Sequence, residues 1–201
     1  MIFSIAARRR NKAFRPSLGS LTVESLEDRA LMTTTAVQLG VLTVQQDLLT
    51  AQSAIQAQVT QVKFNIIQLK LSTREFTDSM RADIIAQRQA LVGETDATTI
   101  ASEKAAIRAD NAAIKAALRD RDAAINEENN VIKSLNQASK HANSVASQEI
   151  RGLNRGQIDP ANVDANDTAF GATLQTTLDN LATRAQTPVD NLAARFPGTP
   201  L

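Results

Sequence analysis

The chain has no cysteine, no tryptophan and no tyrosine. Without cysteine there are no disulfides, no thiolate metal sites and no cysteine nucleophile, and the redox compartment stays unconstrained. Six phenylalanines are the whole aromatic complement of 201 residues. A compact globular core of that length normally uses several large aromatics, so the composition argues against one. Seven glycines and five prolines leave few places for the backbone to turn. Together with abundant Ala, Gln, Leu and Ile, that scarcity favours long helices over sheets. No run of 18 apolar residues occurs, so no spanning helix is expected. A net charge of +1 excludes a global field directed at nucleic acid or an acidic surface.

The charge is nevertheless uneven. Residues 1–35 carry six basic and three acidic side chains. In "MIFSIAARRRNKAFRPSLGS" the apolar part precedes the arginines, the reverse of the order in a secretory signal, and no apolar stretch follows them as a twin-arginine signal requires. Read from its residues alone, Met1–Ser20 is a disordered basic arm. Then comes "LTVESLEDRALM", Leu21–Met32, with apolar residues at 23, 26, 30 and 31, near the spacing of a short amphipathic helix.

An arginine cluster followed by this phrase resembles the N-terminal segment of many surface and secreted proteins of planctomycete bacteria. The matching residues are Arg8, Arg9 and Arg10, then Val23, Glu24, Leu26, Glu27, Asp28, Arg29 and Leu31. Met32-Thr33 departs from the Leu-Ser that is commoner at the end of the motif. The resemblance covers about residues 8–33, roughly an eighth of the chain. It implies export or surface sorting, hence an extracellular or cell-envelope location, and says nothing about the body. The competing reading takes the five basic residues before Pro16 as a phosphate-neutralising arm of a cytoplasmic nucleic-acid-associated helical protein. No stacking aromatics accompany them, so nucleic acid is the weaker expectation.

The body, 36–151, reads as a helical hairpin. Between Ala36 and Val92 apolar or small residues recur at Val44, Leu48, Ala51, Ile55, Val59, Val62, Ile66, Leu69, Thr73, Phe76, Met80 and Ile84, in steps of three and four. The doublets Leu48-Leu49, Ile66-Ile67 and Ile84-Ile85 stand 18 residues apart, five helical turns. That period equals the natural 3.6, so the helix should stay nearly straight. "VGETDATT" breaks the pattern: Gly93 suits the end of one helix, and Asp96 or Thr98 caps the next. The second helix should run from about Ala97 to Ile150, with Ile100, Ile107, Ile114, Leu118, Ile125, Ile132, Leu135, Ala142 and Val145 on its seam.

Residues 152–201 read as a loop with an Asp159-Pro160 turn, a short third helix capped by Asp167, a last turn opened by Thr187-Pro188, and a tail. The fold expected is therefore all-α: a long antiparallel coiled-coil-like hairpin, a short third helix and disordered termini. The doublets make the apolar stripe wider than one thin partner helix covers. Leu48, Leu49, Ile66, Ile67, Ile84 and Ile85 are thus expected to mediate self-association, or packing on another helical protein.

Catalytic constellations are missing. His141 is the lone histidine, on a polar stretch, with no convergent nucleophile and carboxylate to complete a triad. Asn162, Asp164 and Asn166 take the first alternate places of a calcium loop, but Asp167 stands where glycine must turn and Thr173 where a bidentate glutamate is needed. Glu127 and Glu128 in "NEENN" read as a solvated face. There is no phosphate loop, HExxH or GxSxG. The sequence points to a non-enzymatic, exported structural or interaction protein without cofactor, metal or small-molecule substrate.

Overall fold

A computed structural model describes residues 23–195, which form three long α-helices and one 3₁₀ turn, with no strand among the described residues. Helix α1 runs Val23–Ala90, α2 runs Ala97–Asn154, and α3 runs Val163–Arg195. At 1.5 Å per residue these are rods of about 100, 85 and 50 Å. The antiparallel hairpin is as expected. Helix α1 begins earlier than the apolar pattern implied and crosses the 35/36 boundary without a break. The terminal segments expected to be disordered lie outside the described residues.

The hairpin turn follows local chemistry. Gly93 adopts φ +88°, a left-handed conformation that a Cβ would strain. Asp96 caps α2 by accepting from the Thr99 N–H at 2.9 Å, and the Thr98 and Thr99 hydroxyls donate to the same carboxylate. Those donors hold the Asp96 carboxyl well below the ordinary range. Beyond the turn, Gln52 meets Asn143, Asn65 meets Glu128 and Gln87 meets Asp110, a fixed antiparallel register along the rod.

The third helix differs from expectation. It is 33 residues long, not short, and starts four residues before Asp167. Val163, 1% exposed, packs on Gly40 and beside Leu153, drawing the helix start back onto the hairpin's open end. Asp159 caps the preceding 3₁₀ turn, Pro160–Asn162, through the Ala161 N–H. Nor does Thr187 open a new turn. Its hydroxyl donates back to the Thr183 carbonyl at 3.0 Å, and Pro188 lies inside a continuous helix. An internal proline removes one helical hydrogen bond. Burial of Leu192 beside Leu69, Ala117 and Ala124 opposes that loss.

The core is a file of three thin clusters. At the open end Val44, Ala146, Leu153 and Val163 are buried together. In the middle Ile55, Val59, Val62, Val131, Leu135, Leu178, Leu181 and Ala185 form the largest. Towards the closed end Leu69, Ala117, Ala124 and Leu192 form the third. Helix α3 thus runs parallel to α1 and antiparallel to α2, covering all but the hairpin's tip.

This third partner shifts the α2 seam. Ala117, Ala124 and Val131 are buried, while the expected Leu118, Ile125 and Ile132 are half-buried one residue further on. Helix α2 faces two neighbours, so small residues take the centre and isoleucines the flank. Buried hydroxyls on α1 satisfy themselves: Ser72 and Thr73 donate to the carbonyls of Gln68 and Leu69 at 2.9 and 2.7 Å.

Candidate functional site

The three doublets of α1 are split by the structure. Ile84 is buried, and Leu48 and Ile66 are half-buried, so the first residue of each doublet belongs to the intramolecular side. The second points away: Leu49, Ile67 and Ile85 are 66%, 52% and 55% exposed. Five whole turns separate them, so they fall on one line. Leu39, Leu42, Phe64 and Leu71 are also exposed and lie within about 100° of that line at 100° per residue. Doublet spacing alone did not mark these four. Their offsets, seven and ten residues before Leu49 and three before and four after Ile67, were the available signal.

The resulting face lies across α1 from its buried side. From Thr34 to Val62, Asp47 is the one charged residue; it is exposed, and it lines the groove between α1 and α3 rather than this face. Leu39, Leu42 and Leu49 mark one end of the face, Phe64, Ile67 and Leu71 the other, and Ser53, Gln56 and Thr60 the middle. Two charge-poor apolar patches in line on one helix, joined by small polar residues, are the ordinary sign of an interaction surface.

The sorting-motif residues are placed only in part. Arg8, Arg9 and Arg10 lie outside the described residues. Val23, Glu24, Leu26, Glu27, Asp28, Arg29 and Leu31 fall on the first turns of α1.

Other singled-out residues land as follows. The ring of exposed His141 lies 5.9 Å from that of Phe170. The Asn162–Asp167 stretch is no loop: Asn162 ends the 3₁₀ turn, and Asp164, Asn166 and Asp167 lie in α3. Among the described residues no group of three carboxylates or imidazoles is arranged to hold a metal ion.

The pair read as a solvated face is corrected. Glu127 does reach the surface and pairs with Arg184 of α3, whose guanidinium holds its carboxyl below the ordinary range. Glu128, however, is fully buried, because it continues the seam between Ala124 and Val131. Its Oε1 accepts from Asn65 Nδ2 at 3.3 Å, and its Oε2 finds no partner. Burial pushes this carboxyl up to about 7, against the smaller downward effect of Asn65.

A second acidic layer brings one carboxyl from each helix together. Asp167 of α3 lines one small cavity with Asp47 of α1 and Glu149 of α2. Glu149 is 6% exposed and accepts from Asn166 Nδ2 at 3.4 Å. Burial, then the negative charge of Glu149, raises the Asp167 carboxyl to about 7. Beside this layer a groove of about 420 Å³ separates α1 from α3, with Thr50 and Ala54 on one wall and Phe170 and Gln175 on the other.

No helix among the described residues is long and apolar enough to cross a membrane. No protein-family model matches the chain, and no curated protein or solved structure matches it.

Proposed function

We propose that this is a non-enzymatic, exported helical protein of the cell surface or envelope that works as a structural or interaction element by pairing with a second copy of itself. The outward stripe of α1 carries the reading. It spans about 48 Å from Leu39 to Leu71 at 1.5 Å per residue, and only a straight helix of similar length covers it. The chain supplies such a helix. The stripe's first half is free of charge, so two copies meet without like-charge repulsion there. A two-fold antiparallel pairing is self-complementary. It sets Leu39 and Leu42 on Leu71 and Ile67 of the second copy, with the small polar middle at the axis.

Export rests on the N-terminal resemblance alone. Mass spectrometry of the native protein from cytoplasmic and envelope or medium fractions tests it. Envelope material is expected to begin near Thr33–Ala36. Intact Met1 confined to the cytoplasm would overturn it and bring the basic arm forward as a nucleic-acid contact.

Self-association is tested by light scattering of the full chain at micromolar concentration. A dimer or larger species is expected. A monomer throughout that range would sink the reading.

A further inference from the structure

We propose that the outward face of α2 is a docking surface for an anionic lipid bilayer, on which the rod lies along its length without entering the membrane. The proposal needs neither export nor self-association.

Charge on α2 is nearly balanced in sequence but sorted in space. Its 58 residues hold eight basic and seven acidic side chains. Lys104, Arg108, Lys115 and Arg119 lie towards the turn, and Lys133, Lys140 and Arg151 towards the open end; all are exposed. At 100° per residue they fall within an arc of about 60°, centred about 170° round from the buried Ala117, Ala124 and Leu135. At 1.5 Å per residue the file is about 70 Å long.

The acids are turned elsewhere, mostly by the neighbouring helices. Asp110 accepts from Gln87 of α1 at 2.9 Å, and Asp120 and Glu127 pair with Arg195 and Arg184 of α3. Glu128 and Glu149 are buried, and Glu103 is half-buried. Asp122 alone falls within the file, and Arg121 pairs with it at 2.7 Å. Lys104 and Arg108, like Lys115 and Arg119, are equal charges four residues apart, an arrangement that weakens a helix by itself. Helix α1 adds charge of the same sign alongside. Its Lys70, Arg74 and Arg81 line the α1–α2 groove with Arg121, and Asp78 pairs with two of the three.

The shape of the file selects a flat polyanion. A bilayer surface meets a straight narrow file along its whole length. The phosphates of a duplex wind round once per about 34 Å, so a rod laid beside it meets them over only part of its length. Helix α2 has no aromatic residue on which the bases of a single strand could stack. Among the described residues, the exposed large apolar side chains lie on α1 and in the turn, none on α2. Nothing on this face therefore enters the acyl chains, and the contact is with charged headgroups. Each cation held at an anionic lipid surface strengthens binding about fivefold, and salt screens that attraction.

Co-sedimentation of the full chain with vesicles tests the proposal. Vesicles of phosphatidylcholine with about a third phosphatidylglycerol should carry the protein down at about 0.05 M salt and release it at about 0.5 M. Vesicles of phosphatidylcholine alone should not bind it. Lys115→Gln/Lys133→Gln/Lys140→Gln removes three charges from exposed positions and should weaken binding on the order of 100-fold, with an unchanged far-ultraviolet spectrum. Ala172→Glu/Thr176→Glu/Thr183→Glu makes the same change in net charge on exposed positions of α3 and should weaken it far less. Equal losses in the two variants, or none in the first, overturn the proposal. So does binding to phosphatidylcholine alone, or binding that survives high salt. Tighter binding to duplex DNA than to the anionic vesicles at equal phosphate overturns it in favour of nucleic acid.

Discussion

Asn65 Nδ2 donates to Glu128 Oε1 across 3.3 Å in the α1–α2 seam, where Asn65 is 5% and Glu128 0% exposed. The pair sits between the middle and closed-end clusters, with apolar layers on both sides. One neutral donor does not satisfy a buried carboxylate, and Oε2 has no partner.

The stability of the fold should therefore fall as pH rises. Glu128 titrates at about 7 in the folded chain, against about 4.3 unfolded. Between those values the unfolded chain gives up the proton and the folded chain keeps it, so stability declines from about pH 4 to about pH 7 and is flat above. Glu128→Gln keeps the shape and an acceptor for Asn65. It should raise stability by about 1 kcal/mol at pH 8 and change it little at pH 4, read from urea midpoints at the two values. An equal loss at both would show that the ionised carboxylate is satisfied in place. Asp167 acts in the same sense, so the slope should shrink rather than vanish.

Neighbouring isoleucines should respond differently to the same change. Ile67→Glu places a charge on the exposed stripe and should dissociate the self-associated species with a far-ultraviolet spectrum and melting temperature close to those of the wild-type monomer. Ile66→Glu buries half of that charge against the hairpin and should lower the melting temperature as well. Equal particle size for wild type and Ile67→Glu would remove this face as the contact.

The middle cluster should dominate stability. Leu135 is fully buried there, and Leu135→Ala should cost about 3 kcal/mol by denaturant unfolding, a lost side chain plus an unfilled cavity. Leu71→Ala, on the exposed stripe, should cost the monomer under about 1 kcal/mol.

Gly152→Ala sets helix propensity against a clash. The substitution gains about 1 kcal/mol of propensity inside α2. But a Cβ there meets Ile158 Cδ1 at 2.6 Å and Cγ1 at 2.8 Å. Ile158 cannot readily yield, because its own N–H and that of Gln157 donate to the Gly152 carbonyl. The clash should win by about 1–3 kcal/mol. Ile158→Ala in the same chain should recover part of that, and the double-mutant cycle measures how much.

The chain's own pattern was enough to specify helices, hairpin, turn and the inward line of α1. Scarce glycine and proline leave the backbone little else to form, and steps of three and four name the buried side. Gly93 and Asp96 act through their own backbone and nearest N–H groups, so they too could be read in isolation. What required the tertiary structure was everything that depends on a third neighbour. Helix α3 covers most of the hairpin, and only then do Ala117, Ala124 and Val131 become the centre of α2 and Leu118, Ile125 and Ile132 its flank. Glu128 stands at seam spacing but looks like half of a solvated acidic pair until Asn65 is set opposite it. Asp167 looks like a cap until Val163 is drawn onto Gly40. Asp47, Glu149 and Asp167 are 102 and 18 residues apart in the chain. Only packing brings them to one layer, because proximity between helices is set by which apolar faces meet and not by the order of the residues.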